Sequence, residues 1–110
     1  MIVDNISRFT RGWFIGDFEP SILRTKDFEV AVISHEKDEY IPKHYHSIAT
    51  EYNILLSGKM FINNKTIEPG DIFVFEKNEA VDAKVMESSQ VLCVKVPSVI
   101  GDKHNVQSNL

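Results

Sequence analysis

Turn residues interrupt the chain at short intervals, and this spacing constrains the fold more than any other feature. Runs rich in valine, isoleucine and phenylalanine recur roughly every ten residues, as in all-β sandwiches and barrels. The strands expected from these runs cover residues 28–34, a segment carrying His44 and His46, and then 51–56, 59–62, 72–75, 81–86 and 91–96. Almost no segment has the periodicity of an amphipathic helix. The sequence therefore predicts an all-β fold.

Two turns are specified by their residues. Asn63-Asn64 separates two short apolar runs, and asparagine tolerates a positive φ, so a two-residue type I′ hairpin turn is expected. Pro69-Gly70-Asp71 marks a second turn, which leads into a strand that is apolar on both faces. These turns set the order of strands in the second half of the chain.

One short motif carries chemistry. His44 and His46 are two residues apart, Glu51 follows, and Gly58 closes the pattern. Side chains at i and i+2 point to the same face of a β-strand, so both imidazoles are expected on one side. A carboxylate on the next strand can then supply a third metal ligand and leave positions open for water or substrate. The motif predicts a metal site more clearly than it predicts a reaction.

Composition limits the remaining classes of protein. At 110 residues, with 43% apolar and 25% charged residues, the chain is expected to form one globular domain, residues 1–110. Its 12 basic and 16 acidic residues form no basic stripe and give a net charge of −4, which argues against nucleic acid. We expect no membrane span, because no run of about 18 apolar residues occurs. The single cysteine and the absence of a signal-like N-terminus favour the cytoplasm.

These residues resemble the cupin family. Its first motif is G-x5-H-x-H-x3-4-E-x6-G, and His44, His46, Glu51 and Gly58 match it, whereas Asp38 stands at the leading glycine. The resemblance covers roughly residues 28–97 and leaves residues 98–110 as a polar tail that could be partly ordered against the barrel. It implies a double-stranded β-helix, or jelly-roll barrel, with a metal near the barrel centre. It implies no particular substrate, because this fold hosts isomerases, epimerases, dioxygenases and binding domains.

The second cupin motif, G-x5-P-x-G-x2-H-x3-N, is matched only in part. Gly70 fits its first glycine, but Glu76 replaces the proline, Asn78 the glycine and Val81 the histidine that normally provides the fourth metal ligand. Asp82 is the next residue, and a one-residue register shift such as a β-bulge would turn it inward as a substitute ligand. The alternative is that Asp82 is exposed or pairs with a lysine.

The expected site therefore contains His44, His46, Glu51 and, with a register shift, Asp82, around one divalent transition metal ion (Fe, Mn, Zn or Ni). Asn53 shares the strand face of Glu51 and is expected to contact a small-molecule ligand. Lys95 and Lys103 could reach an anionic substrate, but solvated lysines are the simpler interpretation.

Three functions are compatible with this site. The chain could be a metal-dependent enzyme acting on a small polar molecule, carbohydrate-like or an oxidisable organic compound. It could instead be a sensor domain that binds such a ligand without turnover, or a metal-free structural barrel. We also expect a homodimer, because a small barrel exposes sheet edges and because Trp13, Phe14 and Phe18 offer an apolar patch.

Overall fold

The computed structural model describes residues 1–106. Two short 3₁₀ turns, Ile6–Arg8 and Thr10–Gly12, precede the sheet. The strands are β1 (Trp13–Ile15), β2 (Glu29–His35), β3 (Tyr40–His46), β4 (Thr50–Ile62), β5 (Lys65–Ile67), β6 (Ile72–Phe75), β7 (Val81–Val96) and β8 (Lys103–Asn105). The all-β expectation is confirmed. Within residues 1–106, no helix is long and apolar enough to cross a membrane.

One curled sheet forms both walls of the molecule, because its two longest strands run through both. The first half has the order β1-β2-β7-β4-β6, and it uses the end of β7 and the beginning of β4. The second half has the order β8-β3-β7-β4-β5, and it uses the beginning of β7 and the end of β4. All these pairings are antiparallel. The architecture is the expected double-stranded β-helix.

The two long strands are longer than the sequence suggested. Residues 51–56 and 59–62 were expected as separate strands, but β4 is continuous and changes register around Gly58. Gly58 has a φ of 90°, and a Cβ atom there would lie 2.3 Å from the Ser88 carbonyl oxygen of the neighbouring strand. Glycine thus bends the strand without ending it. Likewise, β7 joins the two strands expected at 81–86 and 91–96.

Other local expectations are confirmed. Asn63 and Asn64 both have positive φ, 48° and 64°, as a type I′ turn between β4 and β5 requires. Gly70 has a φ of 92° in the turn before β6. Part of the segment expected to be a polar tail forms β8, which pairs with β3 in the register His44–Asn105 and His46–Lys103.

The hydrophobic core lies between the walls at the end of the barrel near the β4 bend. Its buried members come from β4 and β7 and are Leu55, Met60, Ile62, Val81, Ala83, Val85 and Val91. Phe73 and Phe75 of β6 pack against this cluster and are only partly buried. Most of these residues also line a cavity of about 870 Å³, which contains the candidate site.

Candidate metal centre

The two motif histidines lie side by side on the inner face of β3. His44 is 8% exposed and His46 is 6% exposed, and Tyr45 between them points outward and stacks on His104. The His44 and His46 rings are perpendicular, with centroids 5.4 Å apart. Both line the cavity. The i, i+2 spacing therefore places two imidazoles inside the barrel, as the sequence predicts.

Both histidines have features that suit a metal ligand. The Nδ1 atom of His44 lies 2.9 Å from the Pro42 carbonyl oxygen. A carbonyl oxygen only accepts, so Nδ1 donates and the Nε2 lone pair of the neutral ring is left free. The pKa of His46 is lowered by burial, then by the positive charge of Lys95, and this outweighs the opposing effect of Glu51. The neutral imidazole needed for ligation is therefore favoured.

Glu51 enters the same cavity from β4, on the opposite wall. Its Oε1 accepts a hydrogen bond from the thiol of Cys93, with an Sγ–Oε1 distance of 2.9 Å. Burial raises the pKa of the Cys93 thiol far above its usual range, and the charge of Glu51 adds to this, so the sulfur keeps its proton and donates. Oε2 accepts no hydrogen bond from residues 1–106, which leaves one carboxylate oxygen available.

The side chains are not gathered into a finished metal site. Within residues 1–106, no three His, Cys, Asp or Glu side chains are close enough to form a metal-binding group. The donor types nevertheless fit a divalent transition metal, since two neutral imidazoles and one carboxylate are the ligands of open Zn²⁺ and Fe²⁺ sites. The residues of the first motif therefore suit the metal chemically, while Glu51 is held by Cys93 in this conformation.

Asp82 requires a correction. The expected shift does not occur, because β7 alternates regularly here, with Val81 and Ala83 buried and Asp82 exposed. Val81 is the cross-strand partner of His44 and occupies the inner position opposite it. The Asp82 carboxylate instead lies near the phenol of Tyr40 on the outer side and raises the pKa of that phenol. Asp82 lies on the outer face and does not belong to the cavity.

Asn53 lies on the inner face of β4, next to Glu51, and is 6% exposed. Its Nδ2 donates to the Phe73 carbonyl oxygen over a long distance of 3.4 Å, and its Oδ1 accepts no hydrogen bond from the described residues. The surrounding cavity wall is largely apolar and includes Met60, Ile62, Phe73 and Phe75. Asn53 is therefore a polar group in a mostly apolar recess.

Lys95 and Trp13 also line the cavity, whereas the sequence favoured a solvated Lys95 and gave Trp13 no place in the site. Lys95 pairs with Glu51 across β7 and β4, so it faces inward, and its Nζ lies 5.4 Å from the Trp13 ring centroid. The parity of β7 could have revealed this position. Trp13, Phe14 and Phe18 are all partly buried, and Phe14 packs edge-on against Phe9. The N-terminal aromatic residues therefore expose less apolar surface than the sequence suggested.

Asp102 is a buried residue that sequence reasoning missed. It is 3% exposed, and its carboxylate accepts hydrogen bonds from the backbone N–H groups of Ser47, Ile48 and Ala49 and from the Ser47 hydroxyl. Burial raises its pKa, but these hydrogen bonds outweigh that effect and the net pKa is lowered. The C-terminal segment thus fixes the loop that joins the histidine strand to the Glu51 strand.

No family model and no curated protein matches the sequence. Several solved structures have a similar fold. A Klebsiella pneumoniae protein with a double-stranded β-helix domain is 17% identical over 96% of this chain and 92% of its own, with a TM-score of 0.70. The nickel(II) complex of the Escherichia coli pirin YhhW is 20% identical over 80% of this chain and 39% of its own, with a TM-score of 0.66.

A third solved structure names the fold. The cupin-superfamily sugar phosphate isomerase from Silicibacter pomeroyi is 18% identical over 66% of this chain and 52% of its own, with a TM-score of 0.56. At these identities the likeness establishes the fold alone. The chain is a double-stranded β-helix barrel with a pair of histidines on its inner face. The protein therefore shares the double-stranded β-helix fold of these structures.

Proposed function

We propose that this cupin binds one divalent transition metal ion through His44, His46 and Glu51. The observation that carries the proposal is the pair of buried imidazoles, with the Nε2 lone pair of His44 available, in a cavity that also contains a carboxylate. A Zn, Fe, Mn or Ni ion is compatible with these donors. The nickel in the structurally similar pirin supports a first-row metal.

The ligand of the site is proposed to be a small polar molecule. The cavity has room for one, and ligand sites commonly combine apolar walls with a few polar groups. The side-chain carbonyl oxygen of Asn53 would accept a hydrogen bond that orients this molecule. The positive charge of Lys95 would attract an anionic group on it. A bound divalent ion would supply Lewis acidity at an oxygen atom of this molecule. The apolar walls contributed by Phe73 and Phe75 would exclude water from it.

The proposed function has two versions, an enzyme that converts the bound molecule and a domain that only binds it. The sugar phosphate isomerase with the same fold supports a metal-dependent enzyme. The apolar residue opposite His44, Val81, supports a binding domain, because it adds no group for proton transfer. Both versions require the metal, so metal binding is tested first and turnover of carbohydrate-like and oxidisable substrates is tested on the loaded protein.

Titration of tag-free protein with Co²⁺, followed by calorimetry and visible absorption, tests the ligand assignment. The wild type should take up one equivalent, and His44→Ala and His46→Ala should each abolish binding. Glu51→Gln should weaken it by about tenfold or more, since a charged ligand is lost. His35→Ala removes a histidine outside the set and serves as the matched control. Full Co²⁺ uptake by both motif variants would show that the ligands are wrong.

A further inference from the structure

The outer surface of the first half of the sheet is apolar over four adjacent strands. The register places two rows of four side chains across β2, β7, β4 and β6. One row is Val32, Leu92, Ile54 and Ile72, and the other is Val30, Val94, Tyr52 and Val74. Leu56 and Val96 extend β4 and β7 on the same side. We call these ten side chains the apolar outer face.

This composition is unusual for a surface that faces water. An antiparallel sheet that is solvated on one side normally alternates apolar and polar residues. Three charged residues of these strands, Glu29, Lys95 and Glu51, lie instead on the inner face in a single cross-strand row. None of the ten residues of the apolar outer face is charged. The apolar outer face therefore lacks the polar side chains that are expected on the solvated side of a sheet.

The apolar outer face is also accessible. Ile72 is 74% exposed, Tyr52 and Leu56 are each 47% exposed, and Val96 and Val74 are 43% and 40% exposed. For side chains of ordinary size, the five exposed residues and the five half-buried ones together expose roughly 700 Å² of surface. This area is close to the ~800 Å² that each partner contributes to a standard stable interface. A contiguous apolar surface of this size marks an interaction site.

We infer that a second copy of this chain covers the apolar outer face in a two-fold symmetric dimer. A two-fold interface brings the same surface of both copies together, so it must be complementary to itself. An uncharged face meets this condition because no like charges oppose one another. Two such faces would bury about 1,400 Å² in total, within the range of stable dimers. At one end of the apolar outer face, the side-chain amide of Gln90 donates to the Ser34 hydroxyl, and these two residues form part of a polar rim.

The partner copy would support the wall of the cavity without entering it. Tyr52 of the outer face lies on β4 between Glu51 and Asn53, which point into the cavity. Covering the outer side of this sheet holds those strands in place. The dimer stands independently of the proposed metal site, because the face contains none of the proposed ligands.

Light scattering coupled to size-exclusion chromatography across the micromolar range tests the inference. The wild type should elute at twice the chain mass of 12.6 kDa. The double variant Ile72→Lys/Val74→Lys should be a monomer, because it places like charges opposite one another in the interface. Its unfolding transition should stay cooperative, since both side chains are exposed within a single copy.

Phe61→Lys provides the matched control. Phe61 is 40% exposed on the outer side of the second half of the sheet, so this substitution places a single lysine charge on a part of the surface outside the apolar outer face. It should leave the dimer intact. A wild type that is monomeric throughout the range would overturn the inference. A dimer that survives Ile72→Lys/Val74→Lys, or dissociates with Phe61→Lys, would equally overturn it.

Discussion

Asp38 and Asn78 explain how this chain departs from the cupin motifs without losing the backbone. Both stand where the motifs have glycine, and both have left-handed φ values, 71° and 68°. Aspartate and asparagine are the residues that tolerate this conformation best after glycine. The backbone N–H of Asn78 also donates to the His46 carbonyl oxygen at 2.7 Å, which links this turn to the histidine strand. Asp38 and Asn78 therefore keep the backbone conformation that glycine has in the motifs.

Substitution of Asn78 tests this interpretation. Asn78→Gly should change the free energy of unfolding little, because glycine adopts the same φ. Asn78→Val should cost about 1–3 kcal/mol, since a β-branched residue is strained there. Urea denaturation measures both. Equal stability of the two variants would show that the left-handed turn is not required.

The pKa of His46 gives a pH dependence to stability. Burial and Lys95 lower this pKa in the folded state, so the unfolded chain takes up a proton first as the pH falls. Metal-free protein should therefore lose stability as the pH falls through about 6.5, the ordinary histidine pKa. Urea denaturation between pH 7.5 and 5 should give a shallower loss for His46→Gln. An unchanged pH profile for that variant would contradict the assignment.

At the scale of the elements, the loop between β3 and β4 depends on a residue about 55 positions away in sequence. Asp102 accepts hydrogen bonds from four donors there, and β8 then pairs alongside β3. The sequence suggests only that the C-terminal tail could be partly ordered. Short polar segments carry no hydrophobic pattern, so neither β8 nor the role of Asp102 could be derived from periodicity.

Removal of the Asp102 carboxylate should destabilise the protein strongly. Asp102→Ala leaves three backbone N–H groups without their acceptor, and a loss of about 2–4 kcal/mol is expected from such a network. Asp102→Asn retains one acceptor oxygen and should lose less. Chemical denaturation of the metal-free proteins measures the difference. A loss below about 0.5 kcal/mol for Asp102→Ala would mean that solvent replaces these hydrogen bonds.

Register explains why part of the site could be predicted and part could not. His44 and His46 follow from the alternation of a single strand, and both are buried as expected. The inward turn of Asp82 required a bulge, but β7 stays regular at this point. Bulges depend on the neighbouring strand, as at Gly58, where the close approach of Ser88 requires glycine. Lys95 could have been placed by alternation once its strand was known.

At the scale of the whole molecule, strand spacing and turn residues predict an all-β sandwich or barrel, and the resemblance of the histidine motif to the cupins implies the double-stranded β-helix. The continuity of β4 and β7 through both halves was not predictable, because a glycine and polar residues at the bend resemble an interruption in sequence. The apolar outer face depends on the alignment of four strands, and only the structure supplies that alignment.

The central claim is that the interior of this barrel holds a transition metal. Elemental analysis of tag-free protein, expressed with trace metals and purified without chelator, measures this directly. We expect close to one first-row metal ion per chain in the wild type, and none in a His44→Ala/His46→Ala variant that remains folded by circular dichroism. Wild-type protein without metal, which also fails to take up Zn²⁺, Mn²⁺, Fe²⁺ or Ni²⁺ when reconstituted, would contradict the claim and favour a metal-free barrel.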